Sequence, residues 1–169
     1  MSNGLNLLLS GLIVIALCLS ASASAKRQGT TWNYYHFNGQ EFVAGQPGEG
    51  SFIAVRDGSL PVLLTEPAKV EAVALPAGKG AVAGISYIQS SGGKLGGRPG
   101  HVPASRAPVN IFSGNKLAKT VETDQLGYFT AVLDAGTYRI GTPPLAIEVV
   151  IKSGTTTLAS LRSGKRMVD

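Results

Sequence analysis

The chain has 169 residues, a net charge of +5 at pH 7 and one cysteine, Cys18. This length is enough for one ordinary domain, or for one domain with an appendage. A single cysteine excludes a disulfide within the chain, a CxxC redox pair and a zinc site built from several thiolates.

The first 25 residues have the pattern of a secretory signal peptide. The apolar run Leu7–Leu19 is about 13 residues long, too short to cross a bilayer comfortably. Ala23 and Ala25 form an A-x-A cleavage site before Lys26. Met1–Asn6 contains no Lys or Arg, which leaves an uncleaved N-terminal anchor as the alternative. We expect an exported protein, periplasmic, cell-surface or secreted, with no stable membrane span once the leader is removed.

Export determines how the positive charge is interpreted. In an exported protein, a basic surface favours solvent, anionic glycans or lipid headgroups over nucleic acid as its partner. One basic cluster lies in a predicted loop that contains Lys94, Arg98 and Arg106, and a second lies in the C-terminal segment. The three loop residues are candidate contacts to a partner.

Residues 26–77 predict β-hairpins. After residue 25 there is no amphipathic helix, and short apolar runs alternate with Gly, Pro, Asn and Asp, which is typical of an all-β protein. The Asn-Gly dipeptide at 38–39 suits a two-residue type I′ turn. This register would pair Tyr35 with Phe42 and His36 with Glu41.

Aromatic residues crowd the first arm of this hairpin. Alternation along a strand places Tyr34 and His36 opposite to Tyr35 and Phe37, so half of the rings are expected in the core and the other half exposed. Planar rings suit a sugar-binding or protein-binding face. The candidate contact residues on this arm are Trp32, Tyr34, Tyr35 and Phe37.

A second hairpin is predicted around the Asp-Gly dipeptide at 57–58. This turn would place Ile53 opposite Val62. Pro61 removes one hydrogen-bond donor from the second arm, so that arm is expected at the edge of a sheet.

Residues 78–169 predict a second and more regular β unit. Ala81–Gln89 is expected to be its opening strand. Ser90–Pro108, about 19 residues without apolar periodicity, predicts a loop that is either flexible or becomes ordered on contact with a partner. The strands that follow are predicted at residues 109–112, 116–123, 128–133, 137–141, 146–152 and 155–161.

The stretch TDQLGYFTAVLDAGTYRI predicts a tight turn, a strand and a second corner. Asp124 is expected to accept hydrogen bonds from backbone amides of its own turn, and Gly127 to supply a positive φ. Along the strand that follows, alternation is expected to point one set of side chains into the core, Phe129, Ala131 and Leu133, and the other set away from it, Tyr128, Thr130 and Val132. Gly136 allows the second corner, and the hydroxyl of Tyr138 is expected to bond the corner backbone, as in the tyrosine corner of other sandwiches.

Together with AVAGISY, APVNIF and AIEVVIKSGTTTLASL, this stretch resembles the carboxypeptidase regulatory-like domain of the transthyretin (prealbumin)-like group, over about residues 80–161. The resemblance implies a seven-stranded Greek-key sandwich, here with additional N-terminal hairpins. It also implies an accessory or structural role in exported and cell-surface proteins. The residues that carry the signature are Asp124, Gly127, Phe129, Gly136 and Tyr138.

The sequence does not support catalysis or metal binding. It has no G-x-S-x-G motif, and His36 and His101 are its only histidines. Two separated histidines do not make a zinc site, and the turn aspartates lack the D-x-D-x-D spacing of a calcium loop. We therefore expect no catalytic residue, no metal and no cofactor.

Taken together, these patterns predict an exported, non-enzymatic structural or protein-interaction module whose partner is another envelope or extracellular protein. A carbohydrate-binding accessory protein that uses the N-terminal aromatics is the first alternative. A small hydrolase is a remote second one. The sequence leaves the oligomeric state open.

Overall fold

The computed structural model describes residues 31–47, 49–92 and 100–168. These ranges contain β-strands and no helix, so the predicted all-β class is confirmed. No helix that is long and apolar enough to cross a membrane occurs within them. The strands are β1 Asn33–Phe37, β2 Phe42–Ala44, β3 Phe52–Val55, β4 Val62–Leu64, β5 Lys79–Gly92, β6 Gly100–Pro103, β7 Pro108–Ser113, β8 Lys116–Glu122, β9 Tyr128–Asp134, β10 Gly136–Ile140, β11 Ile147–Ile151 and β12 Thr156–Val168.

The strands form three sheets. The N-terminal sheet has the order β2-β1-β3-β4, and the far sheet has the order β11-β10-β7-β8. The middle sheet is built on β5, which is 14 residues long. Along one side of β5 runs β12, in parallel, while β9 and β6 share its other side in antiparallel pairing.

One face of the middle sheet packs against the far sheet. Val82, Phe129 and Leu161 project from the middle sheet into this core, where they meet Ile111 and Ile140 of the far sheet. Ala131 and Leu133 join Phe129 there, so the predicted core face of β9 is confirmed.

The opposite face of the middle sheet packs against the N-terminal sheet. Ala83, Ile85 and Tyr87 of β5 share this second core with Ile53 and Val55 of β3. The strand β5 is therefore buried on both faces. This explains why its sequence is an almost continuous apolar run and not an alternating one.

A glycine in β5 allows the two strands beside it in the middle sheet to come close, the Ala159 carbonyl on β12 and the Phe129 ring on β9. A Cβ atom added at Gly84 would lie 2.7 Å from Cζ of Phe129. That separation is below the closest approach of real carbon atoms, so only glycine fits at this position without movement of its neighbours.

The predicted register of the first hairpin is wrong by two residues. Phe37 pairs with Phe42 and His36 pairs with Val43, so the hairpin closes through a four-residue loop. The side chain of Asn38 explains the longer loop, because its Oδ1 accepts hydrogen bonds of 2.9 Å from the N–H groups of residues 40 and 41. Gly39 has a φ of 103° and Asn38 does not have a positive φ, which excludes the type I′ turn.

The predicted register of the second hairpin is wrong by one residue. Ile53 pairs with Leu63 and not with Val62. The intervening segment is held elsewhere: the N–H of Leu60 donates to the carbonyl of Val73 at 2.8 Å, and a further hydrogen bond joins residues 75 and 58. A shift of one residue exchanges the two faces of a strand, so this long-range pairing decides which side chains of β4 face inward.

The predicted loop Ser90–Pro108 is shorter than expected. The strand β5 continues to Gly92, and β6 pairs with it from the Ser90–Gly100 pair onward. The strand β6 has only four residues, too few for its alternating burial to be visible in the sequence. Lys94 and Arg98 lie outside the described residues.

The strands predicted from residue 109 onward are confirmed as β7 to β12. The one clear difference is the length of the last strand. The prediction ended it at residue 161, whereas β12 continues to Val168 beside β5.

Candidate functional site

A groove of about 640 Å³ opens between the N-terminal sheet and β9, and we call it the edge groove. On one side lies β4, which ends the N-terminal sheet, as the position of Pro61 predicted. On the other side lies β9, which pairs with no strand except β5 in the part of the chain that the structure describes. Its apolar lining includes Ile53, Leu63, Val73, Tyr128 and Phe129.

The outer edge of β9 carries backbone groups that pair with no other strand of the described residues. Tyr128 turns both of its backbone groups away from β5, because its N–H bonds Oδ1 of Asp124 and its carbonyl accepts the N–H of Asp124, both at 2.8 Å. Outward and inward groups alternate along an antiparallel strand. Thr130 and Val132 therefore also point their N–H and C=O groups outward, and Thr130 lines the groove.

Arg106 stands at the rim of the edge groove on a rigid loop. Its φ of 53° makes it the one non-glycine residue in the left-handed region among the described residues. The buried hydroxyl of Thr123 holds both ends of this loop, because it donates to the carbonyl of Ala104 at 2.6 Å and accepts from the N–H of Ala107 at 2.9 Å. The guanidinium lies 3.4 Å from the carboxylate of Glu122, a long and solvent-exposed ion pair.

Asp124 organises the turn that leads into β9. Its Oδ1 accepts hydrogen bonds of 2.8 Å from the N–H groups of both Leu126 and Tyr128. Gly127 completes the turn with a φ of 80°, and an added Cβ there would lie 2.6 Å from the carbonyl oxygen of Ser86. The roles expected of Asp124 and Gly127 are therefore the roles that they have in the structure.

Tyr128 connects this turn to the N-terminal sheet. The sequence placed it on the outward face of β9, but it is only 8% exposed, because the N-terminal sheet covers that face. Its hydroxyl lies 3.3 Å from the carbonyl oxygen of Ser51, to which it donates. Burial, together with the nearby charge of Asp124, raises the pKa of Tyr128 to about 12.

The second corner is held by Tyr138. Its ring is buried in the core between the middle and far sheets, and its hydroxyl donates to the carbonyl of Asp134 at 3.1 Å. Gly136 does not have the positive φ that would require a glycine. An added Cβ would make only an ordinary contact of 3.7 Å with the ring of Tyr138, so the corner depends on the tyrosine and not on the glycine.

The rings of the N-terminal arm are divided between two faces of their sheet. Tyr35 and Phe37 pack on the core with the middle sheet, where the centroids of Phe37 and Tyr87 are 4.8 Å apart. On the opposite face Tyr34 packs edge-on against Phe52, with centroids 5.8 Å apart. Trp32 precedes β1 and is half-buried. The structure does not bring these four candidates together on one side of the sheet.

Both histidines line a second groove, of about 520 Å³. His36 does not face Glu41 as predicted, because the register differs, and its Nδ1 lies 3.0 Å from the carbonyl oxygen of Gly45. His101 lies on β6, and its ring meets Phe37 edge-on at 4.9 Å. Among the described residues, no three His, Cys, Asp or Glu side chains are grouped as metal ligands would be.

Sequence reasoning identified Arg106 but missed the groove that it borders. Among the groove residues that the sequence did not single out are Leu63 and Val73, which reach the groove from the N-terminal region. Thr123, which anchors the loop of Arg106, is another. The apolar run of β4 beside Pro61 was the available signal, since it predicted an edge strand. Nothing in the sequence indicates that β4 and β9 lie on the same side of the molecule.

Comparisons of the chain with protein-family models, with curated proteins and with solved structures found no match.

Proposed function

We propose that this protein is an exported, non-enzymatic interaction module of the cell envelope or extracellular space, which contacts a partner protein at the edge groove. The observation that carries the proposal is the outer edge of β9, which no strand of the described residues pairs with and which lies beside an apolar groove. Natural proteins commonly cover or block such an edge, because it readily pairs with another chain. An edge left open next to apolar surface is a common basis of protein recognition.

The sequence of the first 25 residues supports export. The short apolar run and the A-x-A site before Lys26 are typical of a leader that is cleaved. These residues lie outside the described part of the chain, so the support comes from the sequence alone.

We also propose that β5 and β7 to β12 form the prealbumin-like Greek-key sandwich that the sequence resembles. These are seven strands in two packed sheets, with Phe129 and Tyr138 in the shared core. In this proposal the N-terminal sheet is an addition on the free face of the sandwich, and it supplies one wall of the edge groove.

A binding role is supported by how the polar side chains of the groove are used. The carboxylate of Asp124 and the hydroxyl of Thr123 are both engaged with backbone groups, which suits residues that shape a surface. The split of the N-terminal rings between two faces does not favour a carbohydrate platform.

Cell fractionation combined with affinity capture tests this proposal. The full chain, expressed in its own cells, should appear in the periplasm, on the surface or outside, with a mature N-terminus at Lys26. Mature protein, cross-linked in the envelope fraction, should repeatedly recover the same protein partner. Retention of the chain in the cytosol with its first residues intact would contradict export, and recovery of no partner would contradict the interaction role.

A further inference from the structure

We propose that the edge groove binds an extended, apolar and basic peptide segment of the partner by adding it to β9 as a new strand. This inference rests on the proposed function and specifies the site and the chemistry of the contact.

The backbone of β9 determines that the occupant is an extended chain. Thr130 and Val132 present two N–H and two C=O groups outward, and two residues of a strand span about 7 Å. A β-strand placed alongside offers donors and acceptors with the same spacing, whereas a helix bonds its own backbone groups. The middle sheet would then continue beyond β9 by one strand.

The position of β4 favours a single segment over the edge of a folded sheet. Across the groove from β9 lie Leu63 and its neighbours in the N-terminal region, and the volume of about 640 Å³ is that of a pocket for a small ligand. A partner sheet would bring its own neighbouring strands and layers, for which this space is too small. A free tail or a long loop of the partner has no such neighbours.

The lining of the groove specifies apolar side chains at alternate positions of the segment. Ile53 and Tyr128 are buried at its base, and Val73 at its rim is 58% exposed. Side chains on one face of an added strand would cover this apolar surface, while those on the other face would point to solvent.

The charges at the rim specify a basic residue in the segment. The charged groups that line the groove are Arg106, Glu122 and Asp124, which leaves an excess of one negative charge. This local excess is opposite in sign to the net charge of +5 of the whole chain. A lysine or arginine of the segment, placed at the rim, would lie near the carboxylates of Glu122 and Asp124. The attraction between these opposite charges would weaken with added salt.

The experiment selects peptides from a displayed library of random 12-residue sequences with the mature protein. We expect binders with apolar residues at alternate positions and at least one Lys or Arg. Thr130→Pro removes an outward N–H that makes no bond within the sheet, and it should weaken the selected peptides by about tenfold or more. Val150→Pro is the matched control, because Val150 lies on the edge strand β11, with its carbonyl turned outward to Thr157, away from the groove.

A second variant keeps the test informative if Thr130→Pro does not fold. Val73 is exposed at the rim, so Val73→Arg should leave the fold intact while it repels a basic peptide, again with a loss of about tenfold or more. Peptides that bind Thr130→Pro or Val73→Arg as tightly as the wild type would overturn the inference. A library that yields no binders, or only proline-rich binders, would overturn it too.

The failure of this inference can be distinguished from the failure of the proposed function. If the envelope partner is recovered equally well by the wild type and by Thr130→Pro, the interaction role stands and strand addition at β9 is wrong. If both the partner and the peptides are lost in Thr130→Pro but kept in Val150→Pro, both proposals are supported.

Discussion

At the scale of single residues, Tyr128 and Asp124 link the layers of the molecule. The carboxylate of Asp124 fixes the turn before β9, and the ring of Tyr128 enters the core that joins the middle and N-terminal sheets. The tyrosine hydroxyl reaches Ser51 in the segment before β3. One turn therefore determines both the position of the β9 edge and the position of the wall opposite to it.

The ionisation of Tyr128 should make stability fall in alkali. The unfolded tyrosine ionises near its ordinary pKa of 10.0, whereas the folded one keeps its proton until about pH 12. The contribution of the protonated Tyr128 to the free energy of unfolding is fully present below pH 10 and is lost as the pH rises towards 12. Between pH 9 and pH 12 the free energy of unfolding should decrease in both proteins. The decrease should be smaller in Tyr128→Phe than in the wild type, by about 1–2 kcal/mol, because phenylalanine cannot ionise. Urea titrations at these pH values provide the measurement, and parallel curves would contradict the expectation.

Removal of the Asp124 carboxylate should destabilise the turn. Asp124→Ala leaves the N–H groups of Leu126 and Tyr128 without their acceptor, which should cost about 1–3 kcal/mol at pH 7. Asp124→Asn keeps an acceptor oxygen in the same place and should cost less. Equal losses in urea unfolding would show that these two hydrogen bonds do not determine the stability of the turn.

At the scale of elements, the regular strands are the part that sequence reasoning predicts well. The strand β11 alternates cleanly, and β9 alternates from Phe129 onward, because one face of each strand lies in the core and the other is less buried; Tyr128 departs from this pattern because the N-terminal sheet covers it. The two hairpin registers were wrong because they depend on features outside the alternation. The side chain of Asn38 lengthens the first loop, and a pairing with residues 73–75 shifts the second.

The candidate site, too, was predicted only where the contacts of its residues are local in the sequence. Asp124, Gly127 and Tyr138 have local roles within a few residues, and a sequence pattern can reveal such roles. The edge groove joins β4 to β9, which are more than sixty positions apart in the chain, through packing on a third strand. Periodicity within a strand contains no information about that packing.

The strand β5 gives a prediction at this scale. Gly84→Ala should lower the free energy of unfolding by about 2 kcal/mol or more, because the new methyl group overlaps the ring of Phe129. Gly100→Ala on β6 is the control, since an added Cβ there meets no atom of the described residues within 4 Å, and it should change stability by less than about 0.5 kcal/mol. Thermal or urea unfolding checks both. A tolerated alanine at position 84 would contradict the close packing.

At the scale of the whole molecule, the three sheets are connected by one strand that is buried on both faces. The side chains of β5 alternate between the two cores, with Val82 in one and Ala83 and Ile85 in the other. A loss of packing in either core therefore acts on the strand that supports the other. The edge groove lies between layers, so its geometry depends on both.

We therefore expect the N-terminal and middle sheets to unfold together. Ile85→Ala creates a cavity between them and should cost about 2–5 kcal/mol. The fluorescence of Trp32, which precedes β1, and the far-ultraviolet circular dichroism of all strands should shift to the same lower midpoint. A fluorescence transition that separates from the circular dichroism would show that the N-terminal sheet unfolds independently.

Residue-resolved hydrogen exchange of the free protein by NMR tests whether β9 is a firmly held strand with one open edge. We expect slow exchange at Ala131 and Leu133, whose amides face β5. At Thr130 and Val132, whose amides face away from β5, exchange should be at least about a hundredfold faster. Uniformly slow exchange along β9 would show that the edge is covered, and uniformly fast exchange would show that the strand is not held; either result would contradict the account.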